Sequence, residues 1–251
     1  MATDASTRLV TDFLNGRGIR LIGMADVVQL PSVPEDFAPH TLLKNARTVI
    51  CYALPIPKGV VYAGRNSLEL FWRYSNMVYR TLDSTTNQLC VHLEESGHRA
   101  SPVYGCFPWK LTGRQFWGLM PLVPWAQQAS LGRVTKCGLL ANSQYGTRIL
   151  LGAVVTSAHL EPTAQCGGDP CPPGCQDCID ACPVNAISTS GKVDHHLCIR
   201  YSGVNPLLAH LLADPNMKQK FSFETMLNTV GVDDHGTYTC NNCIKVCPLN
   251  Q

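Results

Sequence analysis

No run of this 251-residue chain approaches the roughly 18 consecutive apolar residues that a membrane-spanning helix requires. Its first residues, Met1-Ala2-Thr3-Asp4, carry neither the basic stretch nor the apolar segment of an export leader. Both absences predict a cytoplasmic protein without a membrane partner. Charge is also scarce: only 15% of residues are Asp, Glu, Lys or Arg, and the formal net charge is +2. Nucleic-acid-binding domains usually show a marked basic excess or stripe, so composition predicts no nucleic-acid partner.

What the chain has in excess is cysteine, 13 in all. Without a leader these thiols sit in a reducing compartment, where clustered cysteines hold metal more often than they form disulfides. Cys51, Cys90, Cys106 and Cys137 are scattered through the first 165 residues, whereas nine crowd the last 86. The charge balance changes at the same place, from 15 basic against 10 acidic residues before it to 5 against 8 after it. A boundary near Glu161-Pro162 follows, giving domains 1–162 and 163–251.

In the first domain, Thr7 to Asn15 has the apolar spacing of a short helix, and Arg20 to Met24 and Thr48 to Leu54 read as interior strands. No Pro or Gly interrupts Asn66 to Glu95, a long amphipathic helix or two. Ala100 to Tyr104 is a third strand, Gly105 to Pro124 a packed irregular loop, Pro124 to Leu131 a helix and Arg148 to Thr156 another strand. This alternation of strands and helices predicts an α/β layer, in the broad sense that includes α+β.

The run Cys171-x3-Cys175-x2-Cys178-x3-Cys182-Pro183 is nearly the bacterial ferredoxin pattern, in which three thiolates bind one 4Fe-4S cluster and the fourth crosses to a second. Cys240-x2-Cys243-x3-Cys247-Pro248 is the returning half, and Cys198 lies between them. We therefore assign Cys171, Cys175, Cys178 and Cys247 to one cluster, and Cys182, Cys198, Cys240 and Cys243 to the other. Three residues rather than two separate Cys171 from Cys175, which leaves Cys166 as the alternative ligand. Structural zinc is the competing reading, although zinc sites favour paired knuckles without the trailing Cys-Pro.

Further blocks carry a family resemblance. Leu42-Leu-Lys-Asn-Ala-Arg-Thr-Val-Ile50, Ala53-Leu-Pro-Ile-Pro57, Gln127-Gln-Ala-Ser-Leu-Gly132, Gly138-Leu-Leu140, Tyr145-Gly-Thr-Arg148, Leu151-Gly152 and Leu160-Glu-Pro162 resemble, in order, the epoxyqueuosine reductase family. The cysteine module, with Cys198-Ile-Arg-Tyr201 and Cys247-Pro-Leu-Asn250, resembles it too. The resemblance implies a nitroreductase-like domain fused to a two-cluster ferredoxin-like module, as in the related reductive dehalogenases. It further implies base-off cobalamin bound between the two, its cobalt reduced through the clusters. The expected external electron donor is a ferredoxin or flavodoxin.

Three departures bear on activity. Ser101-Pro-Val-Tyr-Gly105 stands where the family carries an Asp-containing acid motif, so Tyr104 is the candidate proton donor, with a packed aromatic as the alternative. Thr135-Lys136-Cys137 replaces Gly-Lys-Asn and keeps Lys136 as a candidate catalytic and corrinoid-contacting residue; a solvated lysine is its alternative. The sequence stops at Gln251, where tRNA-acting members often continue, which predicts a small-molecule substrate. Gly132, Lys136, Cys137, Gly138, Trp109 and Trp125 are the expected corrinoid-binding residues, with Phe107, Phe116 and Trp117 as further walls; core packing is the alternative for the aromatics. His195-His196 reads as a polar turn more readily than as axial ligands. A carrier that reduces the corrinoid of a partner protein is the second functional reading, and a flavin in the first domain the third.

Overall fold

The computed structural model describes residues 5–29, 33–106, 109–112, 115–164, 167–202 and 240–250. Phe107 and Cys166 lie outside these, as do the side chains of Trp109 and Phe116. No helix among the described residues is long and apolar enough to cross a membrane.

Helix α1 (Ala5–Gly16) leads into strand β1 (Leu21–Asp26), followed by a short helix α2 (Pro39–Leu42) and strand β2 (Thr48–Pro55). After α3 (Lys58–Val61) comes α4 (Ser67–Glu95), the uninterrupted segment forming one helix of 29 residues. Strands β3 (Ala100–Val103), β4 (Trp109–Thr112) and β5 (Gln115–Gly118), helix α5 (Leu122–Gln128) and strands β6 (Arg133–Val134), β7 (Leu140–Ala141) and β8 (Ile149–Thr156) complete the first part. The main sheet has the order β1-β2-β8-β3 with every neighbouring pair antiparallel. The architecture is thus mixed α/β, with the antiparallel sheet of the α+β kind.

Because side chains alternate across a strand, β2 divides its residues between two cores. Val49, Cys51 and Ala53 face Trp125, Ala126 and Ala129 at α5, together with Leu151, Ala153 and Val155 of β8. Ile50 and Tyr52 face Val10 and Leu14 of α1 and Val78, Leu82, Leu89 and Leu93 of α4. Both sheet faces are covered, which is why β2 and β8 read as continuous apolar runs rather than alternating ones.

One expectation is corrected. The segment 105–124, read as an irregular loop, contains the hairpin β4–β5, with Lys110 opposite Trp117 and Leu111 opposite Phe116. Its β-forming residues outweigh the flanking Gly and Pro that suggested a loop.

The cysteine-rich part is built from two matching turns. Helix α6 (Asp177–Asp180) lies between Cys175 and Cys182; α7 (His195–Ser202) carries Cys198; and α8 (Asn242–Lys245) lies between Cys240 and Cys247. Gln176 and Asn241 precede α6 and α8 with nearly the same backbone (φ −130°, ψ 7° and φ −136°, ψ 23°). Their carbonyls accept equivalent bonds, from Ile179 and Asp180 in one turn and from Ile244 and Lys245 in the other. The two helices pack together, so the halves of the cysteine pattern form a local repeat.

The returning half is fastened to the sheet domain. Asn250 is completely buried; its Nδ2 donates to Thr147 Oγ1 (2.9 Å) and to the Ile244 carbonyl (2.7 Å), and its Oδ1 accepts from the Thr147 amide (2.8 Å). Gly146 makes this approach possible. At φ +58° it occupies a left-handed conformation, and a Cβ there would lie 2.2 Å from the Leu249 carbonyl oxygen. Asn241 Nδ2 adds a bond to Ser67 Oγ (3.2 Å), and Ile244 packs with Ile56, Val61 and Phe71.

Candidate metal centre

The structure brings Cys171, Cys175, Cys178 and Cys247 to the wall of one small cavity, with Pro172, Pro248, Leu249 and Thr135 to Cys137 around them. The extra residue between Cys171 and Cys175 is taken up by a turn in which the Cys175 amide donates to the Pro172 carbonyl (3.1 Å) and Gly174 adopts φ +73°. Asp169 Oδ1 accepts from the Cys171 amide (2.9 Å) and holds the near end of that turn.

The second set, Cys182, Cys198, Cys240 and Cys243, is likewise adjacent. The thiol pKa of Cys198 is raised by burial first, lowered by a hydrogen bond to Ser202, and raised again by Cys182 and Cys240 nearby. Cys198 is delivered by α7, whose N-terminus is capped by Asp194: its Oδ1 accepts from the Leu197 amide (3.0 Å), and its carbonyl from the Cys198 amide (3.1 Å). His195 and His196 are the first residues of that helix.

Burial sets the electrostatics of both groups. Cys178 is pushed up to about 12 by desolvation, then by the neighbouring sulfurs of Cys137, Cys171 and Cys175. Cys247 is raised by desolvation, against hydrogen bonds from the Leu249 amide and Thr147. Cys243 is raised by its hydrogen bond to Cys137, then by burial. With Cys178, Cys198, Cys243 and Cys247 all raised, these thiols hold their protons at neutral pH unless a cation compensates the thiolates. Soft sulfur donors arranged around a cavity are the donor set that iron–sulfur clusters take. Among the described residues, no three or more His, Cys, Asp or Glu converge closely enough to hold a single ion, so the sulfurs surround a space rather than meet at a point.

The tight turn between β6 and β7 places three further candidates. Thr135 and Leu139 close it through the Thr135 amide and Oγ1, both bonded to the Leu139 carbonyl (2.9 Å each), and Gly138 takes φ +77°. Lys136 Nζ donates to the Cys175 carbonyl (2.7 Å), tying its charge to the cluster loop. Cys137, expected at a corrinoid, is instead packed against Cys178, Cys182 and Cys243, with Thr135 Oγ1 3.2 Å from its Sγ. The hydrogen bond from Cys243 lowers its pKa to about 6.

Gly132 lines an open cleft of about 430 Å³ with Arg20, Ser130, Arg133 and Asn142. A second, of about 540 Å³, is lined by Gln127, Lys136, Asp169 and Ser190 and shares Arg133 and Pro170 with the first. Gly132 is dictated by packing: a Cβ would lie 2.2 Å from the Ala141 carbonyl oxygen. Trp125, expected to wall a cofactor, has no exposed surface and belongs to the core under β2 and β8. Trp117 stacks on Phe37 with ring centroids 5.1 Å apart. Tyr104 follows β3 and donates to Asn87 Oδ1 (2.8 Å); it lines neither cleft.

Sequence reasoning missed the donors that reach the sulfurs: the Ala186 amide on Cys182 Sγ (3.3 Å), Thr147 on Cys247 and Ser202 on Cys198. It also missed Asn250. The signal lies in two blocks far apart in the sequence, Tyr145–Arg148 and Cys247–Asn250, which meet in space.

Residues 171–250 match the 4Fe-4S double cluster binding domain. The epoxyqueuosine reductase of Vibrio cholerae is 33% identical over 153 residues, 57% of this chain and 34% of that protein. The one from Bacillus subtilis is 22% identical over 244 residues, 92% of this chain and 54% of that protein. The chain thus spans about a third to a half of these relatives' length. Two solved structures share the fold over nearly the whole chain. One is an epoxyqueuosine reductase with an epoxyqueuosine-modified tRNA-TYR stem loop (TM-score 0.62, 20% identity, 97% of this chain and 64% of that one). The other is a reductive dehalogenase whose structure suggests a mechanism for B12-dependent dehalogenation (TM-score 0.58, 15% identity, 96% and 31%). The resemblance read from the sequence is borne out by these similarities. The stem loop in the first neighbour runs against the expectation that nucleic acid is excluded.

Proposed function

We propose that this chain is an iron–sulfur oxidoreductase that works with a corrinoid: residues 1–162 form a nitroreductase-like corrinoid-binding domain and residues 163–251 a ferredoxin-like carrier of two 4Fe-4S clusters. The observation that carries the reading is the meeting of three thiols of the 171–178 run with the distant Cys247 around one cavity, closed by the turn that bears Lys136. Relatives named as reductases favour an enzyme over a carrier serving a partner's corrinoid.

Cys171, Cys175, Cys178 and Cys247 would hold one cluster, and Cys182, Cys198, Cys240 and Cys243 the other. An electron arriving from a ferredoxin or flavodoxin enters at the acidic module. Hydrogen bonds on Cys182, Cys198 and Cys247 would stabilise the more negative reduced state of clusters bound there and so raise their potentials. The adjoining clefts, one mainly apolar beside Gly132 and one mainly polar beside Lys136, with Arg133 in both, would suit a corrinoid's apolar ring and amide-bearing rim, with Gly138 shaping the turn between Lys136 and the sheet. A bound corrinoid would supply a strong cobalt nucleophile for reductive removal of an oxygen or halogen substituent. Tyr104, held by Asn87, is the candidate proton donor.

Anaerobic purification followed by iron, sulfide and cobalt analysis tests this reading. About eight iron atoms per chain are expected, with saturable corrinoid binding seen by absorbance titration. Absence of corrinoid binding rejects the enzyme proposed here. Turnover of small epoxides and aryl halides, set beside an epoxyqueuosine-bearing RNA stem loop, decides the substrate class.

A further inference from the structure

Arg148 is only 5% exposed, yet it forms no ion pair with any carboxylate among the described residues. One guanidinium nitrogen, Nη1, donates to the Ile56 carbonyl, while Nε has no hydrogen-bond partner. A buried cation left in this way is costly unless a negative charge lies within reach. The charge is not an accident of a loose surface, since Arg148 immediately precedes β8 and its carbonyl accepts from the Ile56 amide (2.7 Å).

Its surroundings point to one source of negative charge. Ile56, which receives the guanidinium, packs on Ile244 in the turn between Cys243 and Cys247, with Cys243 of the second set at the edge of the same apolar group. The preceding residue, Thr147, hydrogen-bonds the Cys247 sulfur and, through Asn250, the chain end just beyond it. Tyr62 feels both groups: burial raises its pKa, the Arg148 charge lowers it and Cys247 raises it. A cluster held by four thiolates is an anion, and it becomes more negative on reduction.

We propose that the Arg148 guanidinium is the buried counter-charge of the cluster that Cys247 helps to hold, raising that cluster's reduction potential without touching the iron. This rests on the two-cluster reading above. The guanidinium stabilises the reduced, more negative state more than the oxidised one, so the nearer cluster is easier to reduce than it is without that charge. Charge near a cluster is one of the established controls on such potentials, and screening is weak where both groups are buried.

The test is a redox titration of the anaerobically reconstituted full-length protein, followed by electron paramagnetic resonance, in wild type, Arg148→Met and Arg148→Lys. Arg148→Met is expected to weaken reduction of one cluster about tenfold, some 59 mV for a one-electron couple, and to leave the other unchanged; Arg148→Lys retains the wild-type value. Equal shifts in both clusters, or none, overturn the proposal. Should Arg148→Met lose one cluster, its retention in Arg148→Lys supports counter-charge, and its loss in both variants shows a packing role and overturns it. Wild-type iron far from about eight atoms would instead remove the two-cluster reading, a failure distinct from a flat response in a fully loaded protein.

Discussion

Replacing Asn250 by alanine probes the seam on which the first cluster depends. The side chain is wholly buried and makes three hydrogen bonds, to Thr147 Oγ1, the Thr147 amide and the Ile244 carbonyl. The Ile244 carbonyl keeps another donor, the Cys247 amide at 3.3 Å, but the buried Thr147 amide loses the acceptor that satisfies it. An orphaned buried donor costs roughly 1–3 kcal/mol, and the other two bonds are worth about 0.5–1.5 kcal/mol each. A loss of about 2–6 kcal/mol follows, or about one and a half to four powers of ten in local opening at 1.4 kcal/mol per decade. Because Asn250 lies three residues beyond Cys247, that opening exposes a cluster ligand. Release of iron to a ferrous chelator, followed anaerobically by the fading of cluster absorbance, should be at least about tenfold faster in Asn250→Ala than in wild type. Release at the wild-type rate would show that the seam does not hold the ligand, and the account of docking would fall.

Other outcomes follow from the same geometry. Serine at Cys175 or at Cys243 should each reduce bound iron from about eight to about four atoms, because the two residues belong to different sets; loss of all iron from either variant would show a single interdependent site, and no loss would exclude that residue as a ligand. Cys51 and Cys90 should resist alkylation in the native protein at neutral pH, since desolvation raises the first and pushes the second up to about 12; peptide mass analysis after labelling detects the contrary.

Much of the site could be read from spacing alone, and the reason is covalent. The ferredoxin-like spacing predicts that Cys178 and Cys182 serve different groups, and in the structure Cys178 lines the cavity with Cys171, Cys175 and Cys247 while Cys182 lies outside that lining. The continuous apolar runs of β2 and β8 and the unbroken period of α4 were equally plain, because burial on both sheet faces writes itself into composition. What spacing could not show was pairing at a distance. Strand β8 joins β2 although about a hundred residues separate them, and the β6–β7 turn carries Cys137 against the second set of cysteines. Trp125 misled because an aromatic near a glycine-rich segment looks the same whether it walls a cleft or fills a core. Only the position of α5 against β2 and β8 decides for the core. Arg148 ends the Tyr145–Arg148 block, yet nothing in the sequence of a basic residue just before a strand shows that it will be buried with no carboxylate partner among the described residues.

The raised thiols also set how folding and metal loading should respond to pH. In the unfolded chain a cysteine ionises near pH 8.5, whereas in the folded apoprotein burial holds Cys178 protonated up to about 12 and raises Cys198 and Cys247 in the same direction. A group whose folded pKa is raised contributes stability below its unfolded pKa and loses that contribution as pH climbs through the folded value. The apoprotein should therefore become less stable from about pH 8.5 upward. If these sulfurs hold the clusters as proposed, they are already thiolates in the loaded protein, so no proton remains to be lost and stability should be level across that range. Each ligand releases its proton on binding, and cluster uptake should strengthen with pH where the apoprotein weakens. Thermal unfolding of the two forms between pH 7.5 and pH 10.5 compares them directly. An apoprotein midpoint that stays flat, or a loaded form that falls in parallel with it, would mean that these thiols are not the buried, proton-holding group the structure places at the centre of the module.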